Sequence, residues 1–217
     1  MRTLLFTLAL LVTIAAKAQD ASYGLVGRFG AYKTFVSSSE HVGDDNKYGP
    51  GLLLELGAWI RLSTAGKNGV QFYLLQGLER QSGGTVRVID EQGNVITDAK
   101  TRYGNLSIGA AALYLYHHNE RLTVGAGFAG KYKYAAIMVM QKIEYRGGLT
   151  VGGDDYYTDT YHRKLNLYVP LEAQLKLSER IQFVGQVQVP LNQRVIAQES
   201  AFKERDLGLT VGVSYTL

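Results

Sequence analysis

The alternation in KLNLYVPLEAQLKL, Lys164 to Leu177, constrains this chain more than any other feature. Leu165, Leu167, Val169, Leu171, Ala173, Leu175 and Leu177 point one way. Lys164, Asn166, Tyr168, Pro170, Glu172, Gln174 and Lys176 point the other. A period of two is a β-strand with one apolar and one polar face. If the leucines cover a protein core, the chain is a soluble sandwich or barrel. If they meet lipid, the polar face is the inside of an outer-membrane barrel.

The same period recurs in eight segments: Tyr23–Phe35, Gly51–Ser63, Val70–Gln81, Tyr103–Tyr116, Leu122 to about Tyr134, Lys164–Leu177, Ile181–Leu191 and Asp206–Leu217. The third is the weakest, because Gln76 interrupts the face made by Val70, Phe72, Leu74 and Leu78. Between the segments, short connections at 64–69, 117–121 and 178–180 alternate with long ones at 36–50, 82–102, about 145–156 and 192–205. Tight turns at one end and long loops at the other match the periplasmic turns and extracellular loops of an outer-membrane barrel. A soluble sandwich has no reason to sort its loops this way. Both chain ends then fall on the short-turn side. Val88–Ala99 holds an Asp-Glu-Gln-Gly-Asn turn between short β-prone pieces, and the fifth and sixth strands are expected to rise above the membrane as hairpins.

Composition agrees with many closely packed strands. The 217 residues include 25 Gly and 15 Tyr but 3 Pro and no Cys. An exported chain without disulfides needs a large core or a closed sheet. Export is expected from the first residues. Met1-Arg2, an apolar run from Leu4 to Ala16 and the small-x-small site Ala16-Lys17-Ala18 form a signal peptide over residues 1–18. The alternative is a buried N-terminal helix. Residues 19–217 then make one barrel domain. The formal charge of +4 falls to about +2 when Arg2 and Lys17 leave with the leader. Scattered Lys and Arg at that level are no nucleic-acid footprint, so nucleic acid is not an expected partner.

The polar faces decide between lipid and core. They carry Arg28, Glu55, Arg61, Glu79, Lys131, Lys133, Lys164, Glu172, Gln174, Lys176, Gln182, Gln186 and Gln188. On a soluble protein these would be the wet surface. Three cues point inward instead. Small residues such as Gly109, Ala111, Gly125, Gly127, Ala129, Gly208 and Gly212 share those faces, as a narrow barrel interior requires. Both signs of charge occur, so Glu55 or Glu172 can pair with Arg28, Arg61 or Lys131. Finally, aromatics cluster at strand ends: Tyr23, Phe72, Tyr114, Tyr116, Phe183 and Tyr215 at one, Phe35 and Tyr134 at the other. The fold expected is an eight-stranded, antiparallel, up-and-down transmembrane β-barrel. Its lumen is expected to be polar and mostly closed, with Arg28, Glu55, Arg61, Lys131, Lys133, Glu172 and Gln174 as its cluster.

GAWIRLSTAGKNGVQFYLLQGLERQSGG, Gly57 to Gly84, resembles the second hairpin of the small outer-membrane β-barrel proteins of Bacteroidota, the PorT-like group. RKLNLYVPLEAQLKL is similar to that group's descending strand, and a leader ending in Ala-Gln is common in that phylum. The resemblance spans most of the mature chain in layout but only short pieces in sequence. It implies the barrel, the outer membrane, the barrel assembly machinery as a partner and a place beside other envelope proteins. It carries no catalytic residues. One departure is the end Tyr215-Thr216-Leu217, where many such barrels end on the aromatic residue.

Chemistry has few candidates. His117 and His118, beside Asn119 and Glu120, read as a solvated turn. His41 near Asp44 and Asp45, or His162 near Asp159, would need Ser37, Ser38 or Ser39 to make a lipid-modifying enzyme, and no spacing specifies such a triad. Asp44-Asp45-Asn46 and Asp154-Asp155 with Asp159 offer oxygen ligands without a calcium-loop spacing. The plainer reading is polar loops. The functional reading is an extracellular recognition rim of Asp154, Asp155, Tyr156, Tyr157 and Asp159. No cofactor, metal or catalytic residue is expected. The runner-up functions are a lipid-modifying barrel enzyme and a soluble exported ligand-binding barrel. Pro170 and Pro190 both lie in Val-Pro-Leu triplets, which predicts a bulge or weak seam between the sixth and seventh strands.

Overall fold

The computed structural model describes residues 20–38, 49–63, 67–89, 95–140, 143–144, 150–151, 155–157, 163–193 and 202–217. Eight long strands follow the alternation: β1 (Asp20–Ser38), β2 (Gly51–Ser63), β3 (Asn68–Ile89), β4 (Val95–His117), β5 (Leu122–Met140), β6 (Leu165–Lys176), β7 (Ile181–Pro190) and β8 (Phe202–Thr216). Each pairs antiparallel with its neighbours in sequence. β1 then pairs with β8, from Gly24↔Thr216 to Ser38↔Phe202, so the sheet closes on itself. Closure leaves these strands no free edge. The signal-peptide region, residues 1–18, lies outside the described residues.

The tight connections have side-chain reasons. Asn119 Oδ1 accepts the backbone N–H of Arg121 (2.9 Å) and of Leu122 (2.8 Å). Ser178 Oγ does the same for Ile181 at 3.1 Å. Asn and Ser side chains that take over backbone acceptor roles stabilise such turns. At the other end the strands run longer than their alternation indicates. The ladder between β3 and β4 reaches Ile89↔Val95 with a register shift between Ser82 and Thr85, and residues 90–94 lie outside the described residues. The third and fourth strands thus extend as well as the fifth, for which an extension was expected. β5 does continue to Met140, but its last turns pair with the short strand Asp155–Tyr157, not with β6.

The prolines also behave differently from expectation. The β6–β7 ladder is unbroken from Gln182↔Lys176 to Pro190↔Tyr168, so the predicted bulge between those strands is wrong. The interruption is on the other edge of β6. Pairing with β5 runs from Leu122↔Leu175 to Ala126↔Leu171, stops, and resumes at Ala129↔Tyr168. Leu191 N donates to Leu167 O, which fixes the hydrogen-bonding parity. By that parity the missing N–H of Pro170 falls toward β5, where the gap is. The missing N–H of Pro190 falls toward β8, and β7–β8 pairing ends at Gln188↔Gly208.

Side chains divide as an inside-out protein would. Leu171 is 46% exposed on the outer wall while Glu172 next to it is 4% exposed inside. The outer wall carries Leu25, Phe29, Leu54, Leu56, Leu74, Ile108, Phe128, Leu167, Leu209 and Val211. Gln76 is the exception in mid-strand. Its Nε2 donates to Tyr134 Oη at 2.7 Å. Tyr134 reaches it from a bulge: Leu106 pairs with Ala135 and Ser107 with Lys133, leaving Tyr134 without a rung. Tyr134 is outward, as expected of the aromatic set, and also serves Gln76.

The interior is not polar throughout. Val26, Trp59, Tyr73, Leu75, Ala111, Leu113 and Leu115 form an apolar cluster within it. Large inward side chains sit opposite glycines on the same rung: Trp59 opposite Gly24, Tyr32 opposite Gly51, Leu115 opposite Gly125. A Cβ on Gly24 would come within 2.6 Å of the Trp59 ring, and one on Gly125 within 2.6 Å of Leu115 Cδ2. These glycines make the space that lets a narrow barrel hold large side chains.

Candidate functional site

The largest gathering of chemistry-bearing residues is in the lumen. Alternation aims every second side chain of each strand inward, so one or two polar residues per strand suffice to fill it. Glu172 on β6 receives four donors. Arg28 Nη1 (3.2 Å) and Gln186 Nε2 (2.7 Å) meet Oε2; Tyr73 Oη (2.6 Å) and Gln174 Nε2 (2.6 Å) meet Oε1. Glu55 on β2 lies 3.2 Å from Arg28 Nε and 2.6 Å from Lys131 Nζ. Glu79 on β3 lies 3.1 Å from Lys133 Nζ and 3.9 Å from Lys131 Nζ. Gln188 accepts from Lys131 at 2.7 Å. Arg28 also stacks 4.9 Å from the Tyr73 ring centroid, and Lys131 5.3 Å from that of Tyr168.

The network therefore binds β1, β2, β3, β5, β6 and β7 across the interior. Three cations, Arg28, Lys131 and Lys133, face three carboxylates, Glu55, Glu79 and Glu172. Buried ions need such partners, since desolvation is otherwise costly. Above it, Thr34 Oγ1 donates to Asp206 Oδ1 at 2.6 Å, and Gln81 Nε2 donates to Thr34 at 2.9 Å.

Arg61 joins this network only through Gln174, which accepts from it and donates to Glu172. It is buried near the short turns, over the Trp59 ring at 5.3 Å. Its Nε and Nη2 donate to Gln71 Oε1 at 2.9 and 2.7 Å, and Nη2 also to Gln174 and Gln182. Among the described residues no carboxylate reaches it within salt-bridge distance. Below it a polar cavity of about 340 Å³ opens between the short turns, lined in part by Arg61, His117, Arg121, Gln174, Lys176 and Gln182. His117 was read as part of a solvated turn. It is the last residue of β4, its ring half-buried and Nδ1 2.7 Å from Thr123 Oγ1. Past the last outward aromatic, Tyr116, it belongs to the rim. Burial, and then the charge of Arg61, hold its imidazole below the ordinary pKa of 6.5. Lys164 and Lys176, placed on inward faces by parity, are exposed at the two rims.

His41, Asp44, Asp45, Asp154, Asp159 and His162 lie outside the described residues. Asp155, Tyr156 and Tyr157 are a backbone strand against Val139, Met138 and Ile137. The functional residues that sequence reasoning missed are those of the mouth: His117, Thr123 and Gln182 around Arg61. Their one sequence signal was the inward parity of Arg61 and Gln182.

No protein family and no curated protein matches the chain. Solved structures overlap it. Neisserial surface protein A does so at 15% identity and a TM-score of 0.49, over 92% of this chain and 100% of that one. The attachment invasion locus protein of Yersinia pestis, bound to a heparin analogue, gives 10% and 0.43 over 90% and 99%. The outer membrane protein OprG of Pseudomonas aeruginosa gives 11% and 0.39 over 92% and 97%. Overlap at these values carries no argument. The fold rests on the chain's own closed ladder.

Proposed function

We propose that the chain is an integral outer-membrane β-barrel with a closed lumen and a non-catalytic role, structural, binding or accessory, in the envelope. One observation carries the reading: the outer wall is a continuous apolar surface and the charges are inside. Water on the outer wall would meet a belt of leucine, valine and phenylalanine far larger than a soluble monomer tolerates. In a bilayer the same belt is the stable arrangement, and the closed ladder pairs the backbone of the wall apart from the gap beside Pro170. Lipid is then the first partner, and the barrel assembly machinery the second. The leader read at residues 1–18 supplies export, and the PorT-like resemblance of Gly57–Gly84 supports a place beside other envelope proteins of Bacteroidota.

The closed lumen follows from the cross-strand ion network, which occupies the interior that an eight-stranded barrel offers. The non-catalytic reading is supported by the one histidine–hydroxyl pair described. His117 and Thr123 have no carboxylate bonded to the other ring nitrogen to orient them. The test has two parts. The folded chain should sediment with membranes, require detergent and migrate differently on gels before and after boiling. In planar bilayers it should give no steady conductance. A chain that fractionates in buffer without detergent would overturn the membrane reading, and a stable large conductance the closed lumen.

A further inference from the structure

We propose that the short-turn mouth of the lumen is a binding site for a small oxyanion, a phosphate, sulfate or carboxylate group, received by Arg61. The proposal stands on the interior of the barrel and not on the membrane reading, so the two can fail separately. In the outer-membrane orientation this mouth faces the periplasm.

Four observations carry it. The first is the missing countercharge. Arg28, Lys131 and Lys133 each lie within 4.0 Å of a carboxylate oxygen, whereas Arg61, only 8% exposed, is met by carboxamide oxygens. A buried guanidinium held by neutral dipoles keeps its charge available to an incoming anion. Second, a face of that guanidinium is uncommitted. Its bonds use Nε and Nη2, and Nη1 is not among the buried atoms that lack a partner. No hydrogen bond is described for Nη1, and Arg61 lines the cavity.

The third observation is that cavity. Its volume of about 340 Å³ is many times the share of one water in the liquid, about 30 Å³. Its floor is polar and includes Gln182, whose Oε1 accepts from Arg61 and whose amide nitrogen can turn toward an oxyanion. The fourth is the balance of charge around it. Arg61, Arg121 and Lys176 face Glu120 and Glu179, three cations against two carboxylates, with the His117 ring as a further donor. The two carboxylates sit on the exposed turns, not beside Arg61. They favour a small ligand that passes them over an extended acidic one. Arginine suits either planar or tetrahedral oxyanions because its N–H groups form a fork.

The test uses the full chain folded in a neutral detergent. Inorganic phosphate, sulfate, acetate and glycerol phosphate are titrated in turn against chloride at constant ionic strength. Binding is read by calorimetry and by the emission of Trp59, the single tryptophan, whose ring stacks on Arg61. Saturable binding by any of the four supports the proposal. Phosphate and glycerol phosphate together assign the site to a phosphorylated headgroup or metabolite, and acetate alone to a carboxylate ligand. Arg61→Gln should weaken binding by at least about tenfold, and Arg61→Lys, which keeps charge without the fork, by less. Where Arg61→Gln does not fold, as judged by gel migration, the exposed pair Arg121→Glu with Lys176→Glu reads the same site and must abolish saturation. A response no different from that to chloride, or equal binding by the folded Arg61→Gln chain, overturns the proposal.

Discussion

In the middle of the lumen Arg28 sits between two carboxylates, 3.2 Å from Glu55 and 3.2 Å from Glu172. At the short-turn mouth Arg61 sits among Gln71, Gln174 and Gln182. Both arginines are buried and inward on adjacent strands. What differs is the neighbourhood. Arg28 is only 1% exposed, and opposite charges replace its lost hydration. Arg61 borders a cavity, and dipoles together with whatever fills that cavity can share the task. The barrel thus uses matched ions where it is sealed and carboxamides where it opens.

The strongest way to break this comparison is to remove Glu172. Glu172→Leu leaves Arg28 with one carboxylate and strands Tyr73, Gln174 and Gln186 as donors. The expected loss is about 3–5 kcal/mol, the range for breaking a buried pair from one side. Glu172→Gln keeps the acceptor shape and should lose less. Arg61→Met removes a charge that makes no direct ion pair among the described residues, and the three glutamines can bond one another. About 1–2 kcal/mol is expected there. Urea unfolding followed by Trp59 emission and by gel migration measures both. An Arg61→Met loss as large as that of Glu172→Leu would mean that the mouth is as tightly coupled as the middle.

The division between these regions was only partly legible beforehand. β2 runs from Gly51 to Ser63 as its alternation states, because period two is a local property. Arg28, Glu55 and Glu172 share an inward parity that can be read from each strand alone. Which cation meets which carboxylate cannot be, since it depends on the stagger between strands distant in sequence. For the same reason Arg61 was grouped with the paired cations. Leu113, Leu115 and Trp59 have polar-face parity, and only the register brings them together as an apolar cluster. Pro170 announced a local break, yet the neighbour that loses a hydrogen bond is set by the parity of the ladder. Tyr134 keeps the outward place that counting gives it, and the extra residue of the bulge turns the parity over only beyond it, at Ala135.

The outer wall offers the same contrast in neutral form, with a smaller effect. Gln76 meets hydrocarbon in the proposed orientation, and its bond to Tyr134 Oη at 2.7 Å is its compensation. Tyr134→Phe leaves the carboxamide alone and is expected to lose about 1–2 kcal/mol. Gln76→Leu in the same chain should return most of that, because no polar group is then left exposed to lipid. Unfolding in lipid vesicles checks the pair. Equal stability of Tyr134→Phe and the native chain would show that Gln76 reaches water, which would place the apolar belt elsewhere on the wall.

The smallest expected effect is at His117, and it bears directly on what the mouth holds. Burial and the Arg61 charge disfavour its imidazolium, so its folded pKa lies below the ordinary 6.5. The unfolded chain then binds the proton first as pH falls. Stability should be unaffected by this group above 6.5 and decline slightly as pH drops from there toward the folded value. Replacing His117 by Gln should remove that decline, and an NMR titration of the ring should place its midpoint below 6.5. Arg61 pushes the midpoint down, and Arg121, Lys176, Glu120 and Glu179 share the same cavity. An oxyanion seated beside Arg61 adds negative charge there and favours the imidazolium. Saturating sulfate should therefore raise the His117 midpoint in the native chain and leave it unmoved in Arg61→Gln. A midpoint equally indifferent in both chains would mean that the carboxamides, with water, are all that Arg61 requires.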